Sequence, residues 1–269
     1  MKLLITGASG GIGTRLRRLL PPLYPDLVLS DIREPEEALR AGETFIKADL
    51  ADYAAVEEAV KGVDGIIHLG GHSGEAPWEN ILNSNIIGTY NVFEAARRHN
   101  VKRIVFASTN HVVGFYPRHR RFGTGILPLP DSRYGVSKAF GESLGALYAH
   151  KHGLGVFCIR IGNFNDRPVD ERRLSIWIKP EDLVSLIRIG LEREGLKFEV
   201  VYGISDNARA FWDNSRAHEL GYVPQGKAEE FAAEALEKQK QLPADKIGDF
   251  FQGGPFCSAE YSAAMDQGR

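Results

Sequence analysis

Six short, almost wholly apolar runs punctuate the chain, at 2–6, 27–31, 43–47, 65–69, 103–107 and 155–161. Between them, near 12–20, 54–60, 79–99 and 134–152, apolar residues recur at helical spacing. A strand wetted on one face alternates apolar and polar side chains. A run apolar on both faces belongs instead to a parallel sheet covered by helices on each side. The pattern therefore predicts an α/β fold. The rhythm breaks at 163–180, rich in Asn, Asp, Arg and Pro, and again at 203–227 around Trp212-Asp213-Asn214-Ser215. Those pieces, with the tail 243–269, are expected to form a small lobe over the carboxyl ends of the strands, where open α/β sheets bind ligands.

Composition changes this picture little. Of 269 residues, 43% are hydrophobic and 25% charged, which suits one compact unit with a substantial core. Lys and Arg number 33 against 35 acidic residues, so net charge gives no reason to expect a nucleic-acid or membrane partner. Cys158 and Cys257 lie in unrelated contexts and suggest neither a disulfide framework nor a metal site. The first strand starts at Lys2, leaving no room for a signal peptide, and no apolar run approaches the ~18 residues of a membrane span. A cytoplasmic protein is expected.

The chemistry begins where the first apolar run ends. Gly7-Ala8-Ser9-Gly10-Gly11-Ile12-Gly13 separates Leu3-Leu4-Ile5 from a helical stretch bearing Leu16, Leu19 and Leu20. Strand, glycine turn and helix in that order allow a dinucleotide pyrophosphate to rest on the helix N-terminus. The candidate cofactor contacts here are Gly7, Gly10, Gly11, Ile12 and Gly13. Asp31 ends the second run about 20 residues later, where a carboxylate accepts hydrogen bonds from an adenosine ribose. A carboxylate repels a 2′-phosphate, which favours NAD over NADP; the nearby Arg33 is the one residue that argues the other way. Leu69-Gly70-Gly71, after the fourth run, lets backbone approach the cofactor closely.

A second motif, Tyr134-Gly135-Val136-Ser137-Lys138, puts a phenol and an ammonium one helical turn apart on one face. A free phenol, with a pKa of about 10, is a poor base near neutrality. A positive neighbour favours its phenolate, so Lys138, aided by a positive nicotinamide ring, is expected to bring Tyr134 toward the working pH. The glycine motif and the Tyr-Lys pair together resemble the short-chain dehydrogenase/reductase superfamily. The resemblance implies a Rossmann-like, doubly wound parallel sheet with a small C-terminal substrate lobe. Residues 1–162 would be the NAD-binding part, and 163–269 a mixed segment that completes the sheet and forms the lobe. It further implies an adenine-contacting pair at Asp49-Leu50 and a role for Lys138 in holding the nicotinamide ribose. The superfamily also supplies a hydroxyl to the reacting oxygen. Sugar-modifying members place it five residues before the glycine of the segment here written Ser108-Thr109-Asn110-His111-Val112-Val113-Gly114. That selects Thr109, with Ser108 as the other candidate.

Nearly end to end, the chain is similar to uronate dehydrogenases. The likeness runs through His68-Leu69-Gly70-Gly71-His72-Ser73, Asn85-Ile86-Ile87-Gly88, Ala107–Tyr116, Arg160-Ile161-Gly162 and Phe251-Gln252-Gly253-Gly254-Pro255-Phe256. It implies NAD-dependent oxidation of D-galacturonate or D-glucuronate, as the pyranose, at C1. The first product is an aldarolactone, which hydrolyses to galactarate or glucarate. Substrate contacts are implied for Ser73, Thr109, Asn110, His111, Tyr134, Asn163 and Arg172, with Ser73 also near the cofactor. Thr109 and Asn163 each stand where Ser is usual. Arg172 suits the C6 carboxylate, which a guanidinium fork binds bidentately, and Arg173 and Arg167 offer the same chemistry nearby. The long helical stretches 79–99 and 134–152 resemble those of the superfamily's four-helix dimer contact, implying a homo-oligomer. The rival readings are a sugar-nucleotide epimerase or dehydratase and an NAD-sensing regulator. The stretch after Lys138 is short for holding a nucleotide, and a sensor has no use for an activated phenol.

Overall fold

Each apolar run becomes a strand, and helices fill the intervals. In the computed structural model, which describes residues 1–263, the order opens with β1 (Lys2–Thr6), α1 (Gly11–Leu19), β2 (Asp26–Asp31) and β3 (Glu43–Lys47). α2 (Tyr53–Val60) and β4 (Gly65–His68) follow. A long helical stretch then runs from α3 (Trp78–Ile81) through a π-helical segment, Leu82–Ile87, into α4 (Gly88–Arg98). Next come β5 (Arg103–Thr109), a 3₁₀ turn at Asn110–Val113, α5 (Arg133–His152) and β6 (Gly155–Ile161). The remaining elements are β7 (Asn163–Phe164), α6 (Glu171–Ile176), β8 (Trp177–Ile178), α7 (Pro180–Glu192), β9 (Phe198–Gly203), α8 (Ser215–Glu219), α9 (Ala232–Gln239) and α10 (Pro255–Ser258). Residues 264–269 of the expected C-terminal segment lie outside the described residues.

Seven strands form one parallel sheet in the order β3-β2-β1-β4-β5-β6-β9. The sequence order reverses beside β1, and this is the crevice in which doubly wound sheets hold their ligands. Successive side chains of a strand point to opposite faces. Leu3 and Ile5 accordingly enter one core layer, with Leu16 of α1, Leu20 at its C-terminal end, and Leu183 and Ile187 of α7. Leu4 enters the other, with Val56, Val92, Phe93, Leu144 and Tyr148 of α2, α4 and α5. Each fully buried Leu or Ile contributes roughly 1.5–3 kcal/mol, so the sheet is a rigid platform for what its strand ends carry.

Three features depart from the sequence pattern. β5 runs past its apolar run to Thr109, because Ser108 and Thr109 still pair with Arg160 and Ile161 of β6. The segment 163–180, unpatterned in sequence, contains α6 and a two-stranded parallel ladder of β7 and β8. α7 and β9, which the apolar pattern does not single out, cover one face of the sheet and form its seventh strand. Among the described residues, no helix is long and apolar enough to cross a membrane.

Candidate active site

The cleft lies along the carboxyl ends of β1, β2, β4, β5 and β6, encloses about 600 Å³, and runs from Asp31 at one end to Tyr134 at the other. At Gly7 the backbone turns with φ +69°, and an added Cβ would lie 2.8 Å from the Gly70 nitrogen. Only glycine lets the two turns come this close. Gly13 packs so tightly under Gly7 and Ala8 that a Cβ there would collide with their backbone. Ser and Asp side chains cap α5, α2 and α6, but α1 begins at Gly10 with no side-chain cap. The first N–H groups of α1 therefore point at the cleft with no side-chain acceptor, next to the positive end of the helix dipole. A pyrophosphate fits that need.

The Asp31 carboxylate is pinned by three backbone donors: Ser9 N at 3.0 Å, Ile32 N at 2.8 Å and Arg33 N at 3.4 Å. It is held facing the cleft as a fixed negative charge. Arg33 is exposed on the same wall, without an ion pair among the described residues. Asp49 and Leu50 line the cleft after β3, and Leu69, Gly70, Gly71 and Ser73 line it after β4. The Leu69–Ser73 turn is fastened by Asn85, in the π-helical segment. Asn85 Oδ1 accepts from His72 N at 2.7 Å, while its amide nitrogen donates to His72 O and to Ser137 Oγ, each at 3.0 Å. Ser137 precedes Lys138, so one asparagine joins the turn to the helix carrying the phenol.

Tyr134, Lys138 and Thr109 converge at the inner end of the cleft. α5 starts at Ser132, whose hydroxyl accepts from Gly135 N at 3.0 Å, and this cap fixes the helix phase that turns Tyr134 and Lys138 inward. The Thr109 hydroxyl lies beside the phenol and lines the cleft with it, and accepts from His111 N at 3.3 Å. Ser108, the other hydroxyl candidate, is committed elsewhere, donating to Glu142 Oε1 at 2.6 Å. Glu142 also takes two bonds from Arg160, at 2.9 and 2.8 Å, in a buried pair one turn beyond Lys138.

The Lys138 ammonium lies over two rings, 4.9 Å from the Phe106 centroid and 5.8 Å from that of Tyr134. It makes no hydrogen bond or ion pair among the described residues. Burial lowers its pKa to about 8. The phenol does not behave as expected from sequence: burial pushes Tyr134 up to about 12, although the neighbouring Thr109 hydroxyl pulls the other way and Asp131 adds to the rise. Desolvation disfavours the anion and is the largest influence on this phenol.

The expected substrate residues divide into two groups. Ser73, Thr109, Asn110, His111 and Tyr134 share the cleft wall, whereas Asn163 and Arg172 stand outside that lining. Asn163 accepts from Asn165 Nδ2 at 3.3 Å. Arg172 is buried, and its Nε donates to Gln252 O at 2.7 Å. With the Asn110 amide turned to satisfy both ends, Arg172 Nη2 donates to Asn110 Oδ1 at 3.1 Å while Asn110 Nδ2 donates to Ile161 O at 3.2 Å. Arg172 thus meets the cleft through Asn110. Arg173 pairs with Asp170 and Arg167 with Glu234, so of the three Arg172 alone has no carboxylate partner among the described residues. Burial, and the like charges of Arg173 and Arg118, lower its pKa to about 10.

Sequence reasoning missed Asp131, Asn85 and the reason for the Gly253-Gly254 pair. Asp131 precedes a helix cap, where an acid reads as part of the cap. In the structure it accepts from His111 Nδ1 at 2.7 Å, deep in the protein. Gly254 adopts φ +67°, and a Cβ there would lie 2.7 Å from Arg172 Nε; a Cβ at Gly253 would collide with the Asp131 carboxylate. Gln252 beside them accepts from Trp212 Nε1 at 2.7 Å and donates to Pro117 O and Arg120 O. The C-terminal motif is therefore backbone threaded between two buried charges.

A model of the NAD dependent epimerase/dehydratase family matches residues 3–176. Uronate dehydrogenase of Pseudomonas putida is 45% identical over 258 residues, covering 96% of this chain and 96% of that protein. Among solved structures, glucuronic acid dehydrogenase from Chromohalobacter salexigens superposes with a TM-score of 0.92 at 43% identity, covering 96% of each chain. A tyrosine-to-alanine mutant of the Agrobacterium tumefaciens uronate dehydrogenase, complexed with NAD, does so at 0.91 and 42%, covering 96% of this chain and 97% of that one.

Proposed function

This chain belongs to the NAD-dependent epimerase/dehydratase family, among its uronate dehydrogenases, and on that premise we propose that it oxidises D-galacturonate or D-glucuronate, as the pyranose, at C1. The observation that carries the reading is the meeting of Tyr134, Thr109 and a Lys138 unpaired among the described residues, in a cleft that also holds the uncapped start of helix α1. NAD, when bound, supplies the two-electron acceptor and a positive ring. Tyr134 Oη takes the proton of the C1 hydroxyl, and Thr109 Oγ1 holds the oxygen that loses it. Lys138 favours the phenolate and donates to the ribose hydroxyls of the cofactor, for which its free donors are suited. Gly7, Gly10, Gly11, Ile12 and Gly13 take the pyrophosphate, and Asp31 the adenosine ribose. Asp49 and Leu50 take the adenine, and Leu69, Gly70, Gly71 and Ser73 complete the wall.

Arg172 takes the C6 carboxylate, with Asn110 between it and the cleft; a buried guanidinium with no hydrogen-bonded carboxylate among the described residues, its pKa lowered by burial and by Arg173 and Arg118, is suited to an anion. Ser73, His111 and Asn163 contact the sugar hydroxyls. With the ring closed throughout, the product is the aldarolactone, which water opens to the aldaric acid. Conversion of galacturonate labelled with carbon-13 at C1, followed by NMR, tests this: the label should appear as a lactone carbonyl, one per NADH formed. A free aldehyde or a label unchanged at C1 would overturn it. The exposed apolar side chains Ile87 and Tyr90 on the long helical stretch, and Val136 and Leu147 on α5, support a homo-oligomer built on these helices.

A further inference from the structure

We infer that Asp131 is a positioning residue for the uronate site: it fixes the His111 ring with its proton on Nδ1, so that Nε2 meets the substrate as a hydrogen-bond acceptor. The inference rests on the proposed function for the identity of the substrate, but not for the state of the ring. An ionised carboxylate can only accept, so at 2.7 Å from Asp131 Oδ2 the Nδ1 atom must carry the hydrogen. In a neutral imidazole the other nitrogen is then a lone pair. Burial holds His111 below its ordinary pKa even with Asp131 beside it, so the neutral ring prevails near neutrality.

The geometry leaves Asp131 little other purpose. Its side chain is fully buried, and no Lys or Arg pairs with it among the described residues. Its second oxygen accepts from Ser132 Oγ at 2.8 Å. At both Gly114 and Gly253 an added Cβ would run into its carboxyl oxygen, so two backbone segments are shaped around this one anion. A buried carboxylate without a cationic partner is costly unless hydrogen bonds satisfy it, and Asp131 accepts from His111 and Ser132. The ring it holds is clamped as well. His111 stacks on Phe256 with centroids 3.9 Å apart at 25°, and presents its edge to Tyr134 at 6.0 Å. The ring borders the cleft, and Nε2 has no partner among the described residues.

A hexuronate offers hydroxyl hydrogens along its ring and a carboxylate at C6. A lone pair on Nε2 accepts from the former and repels the latter. Asp131 and His111 therefore sort the two ends of the sugar, admitting a hydroxyl beside Tyr134 and leaving the carboxylate to Arg172. A ring protonated on Nε2 would do the reverse, attracting the carboxylate to the wrong place. The specificity sits in one hydrogen that Asp131 assigns.

The test combines NMR and kinetics on the enzyme with NAD bound. Nitrogen-15-labelled histidine, with the His111 signals identified by their loss in His111→Asn, should show Nδ1 protonated and Nε2 bare; the opposite tautomer in the wild type overturns the inference. Asp131→Asn should shift the proton toward Nε2 and raise KM for galacturonate about 3–10-fold, the range for a hydrogen bond between neutral groups. NAD affinity should hold. His111→Asn, whose amide replaces Nδ1 but has no counterpart of Nε2, should raise KM similarly, and the double variant should be no worse than the poorer single one. A KM for Asp131→Asn within about twofold of wild type, or additive losses, would overturn the inference. If wild-type enzyme ignores uronates altogether, the proposed function fails, while the tautomer measurement still decides the role of Asp131. The same measurement decides it if the variants do not fold.

Discussion

Lys138 shows how function at a single residue opposes stability. Its pKa falls from 10.5 in a free side chain to about 8 in the fold. Between those values the unfolded chain holds the proton and the folded chain does not, so stability rises as pH rises through that window. Below about pH 8 the buried ammonium costs the fold roughly 3 kcal/mol, at about 1.4 kcal/mol per unit. Lys138→Met should therefore stabilise the protein by ~1–3 kcal/mol in urea melts near pH 7 while turnover disappears. A lower midpoint would show that the ammonium is held by something other than the cofactor. Tyr134→Phe should keep NAD affinity and lose about 10²–10⁴ of kcat, the usual worth of a general base; kcat within threefold of wild type would remove Tyr134 from the chemistry. Arg172→Ala should raise KM for uronates by the equivalent of ~2–5 kcal/mol with NAD binding unchanged, and Arg172→Lys should recover only part. Equal KM values would move the anchor to another residue.

At this scale the sequence was legible where chemistry is local. Tyr134, Lys138 and Asp31 are picked out by two motifs in a fixed order, and the structure brings all three to one cleft. The pKa of Tyr134 was not legible, because it depends on how much water the surrounding chain removes. Asp131 and Gly254 were illegible for a related reason: Gly253 lies 122 residues after Asp131 (253 − 131) and Arg172 lies 82 residues before Gly254 (254 − 172), so neither contact shows as local spacing.

Among elements, α5 carries the most. Ser132 caps it, Tyr134 and Lys138 follow on successive turns, and Glu142 one turn later ties it to Ser108 and Arg160. Glu142 touches no part of the cleft but sets where the helix sits against β5 and β6. Glu142→Ala would leave Arg160 buried without its anion, a loss that typically costs 3–5 kcal/mol. Melting should show that loss in full, and kcat should fall with it as Tyr134 shifts against Thr109. A variant as stable as the wild type would mean that Arg160 finds another acceptor. β1, β2, β4, β5 and β6 were readable because both their faces are buried and their runs are continuous. β9 was not, since its first three residues are only half-buried and include Glu199. α7 opens with Pro180 and the acidic pair Glu181-Asp182, start signals whose meaning depends on the helix that follows.

For the whole molecule, the parallel sheet gathers every strand end on one edge, so a cofactor lying across that edge meets residues from Gly7 to Lys138 at once. The chain after β6 adds Gly162 and Phe164 to the cleft wall, while Arg172 and Phe256 stand behind it, against Asn110 and His111. The helices that carry Tyr90 and Leu147 outward leave an apolar face suited to a second copy, and a dimer or larger species should be found by light scattering at micromolar concentration; a monomer would contradict that contact. One measurement bears most directly on the central claim that this cleft oxidises uronates with NAD. NADH formation should be followed in parallel with galacturonate, glucuronate, galactose, glucose and a nucleotide sugar. Turnover is expected with the two uronates, with NAD preferred over NADP, and little with the neutral sugars. Equal rates on galactose and galacturonate, or activity confined to the nucleotide sugar, would contradict the assignment.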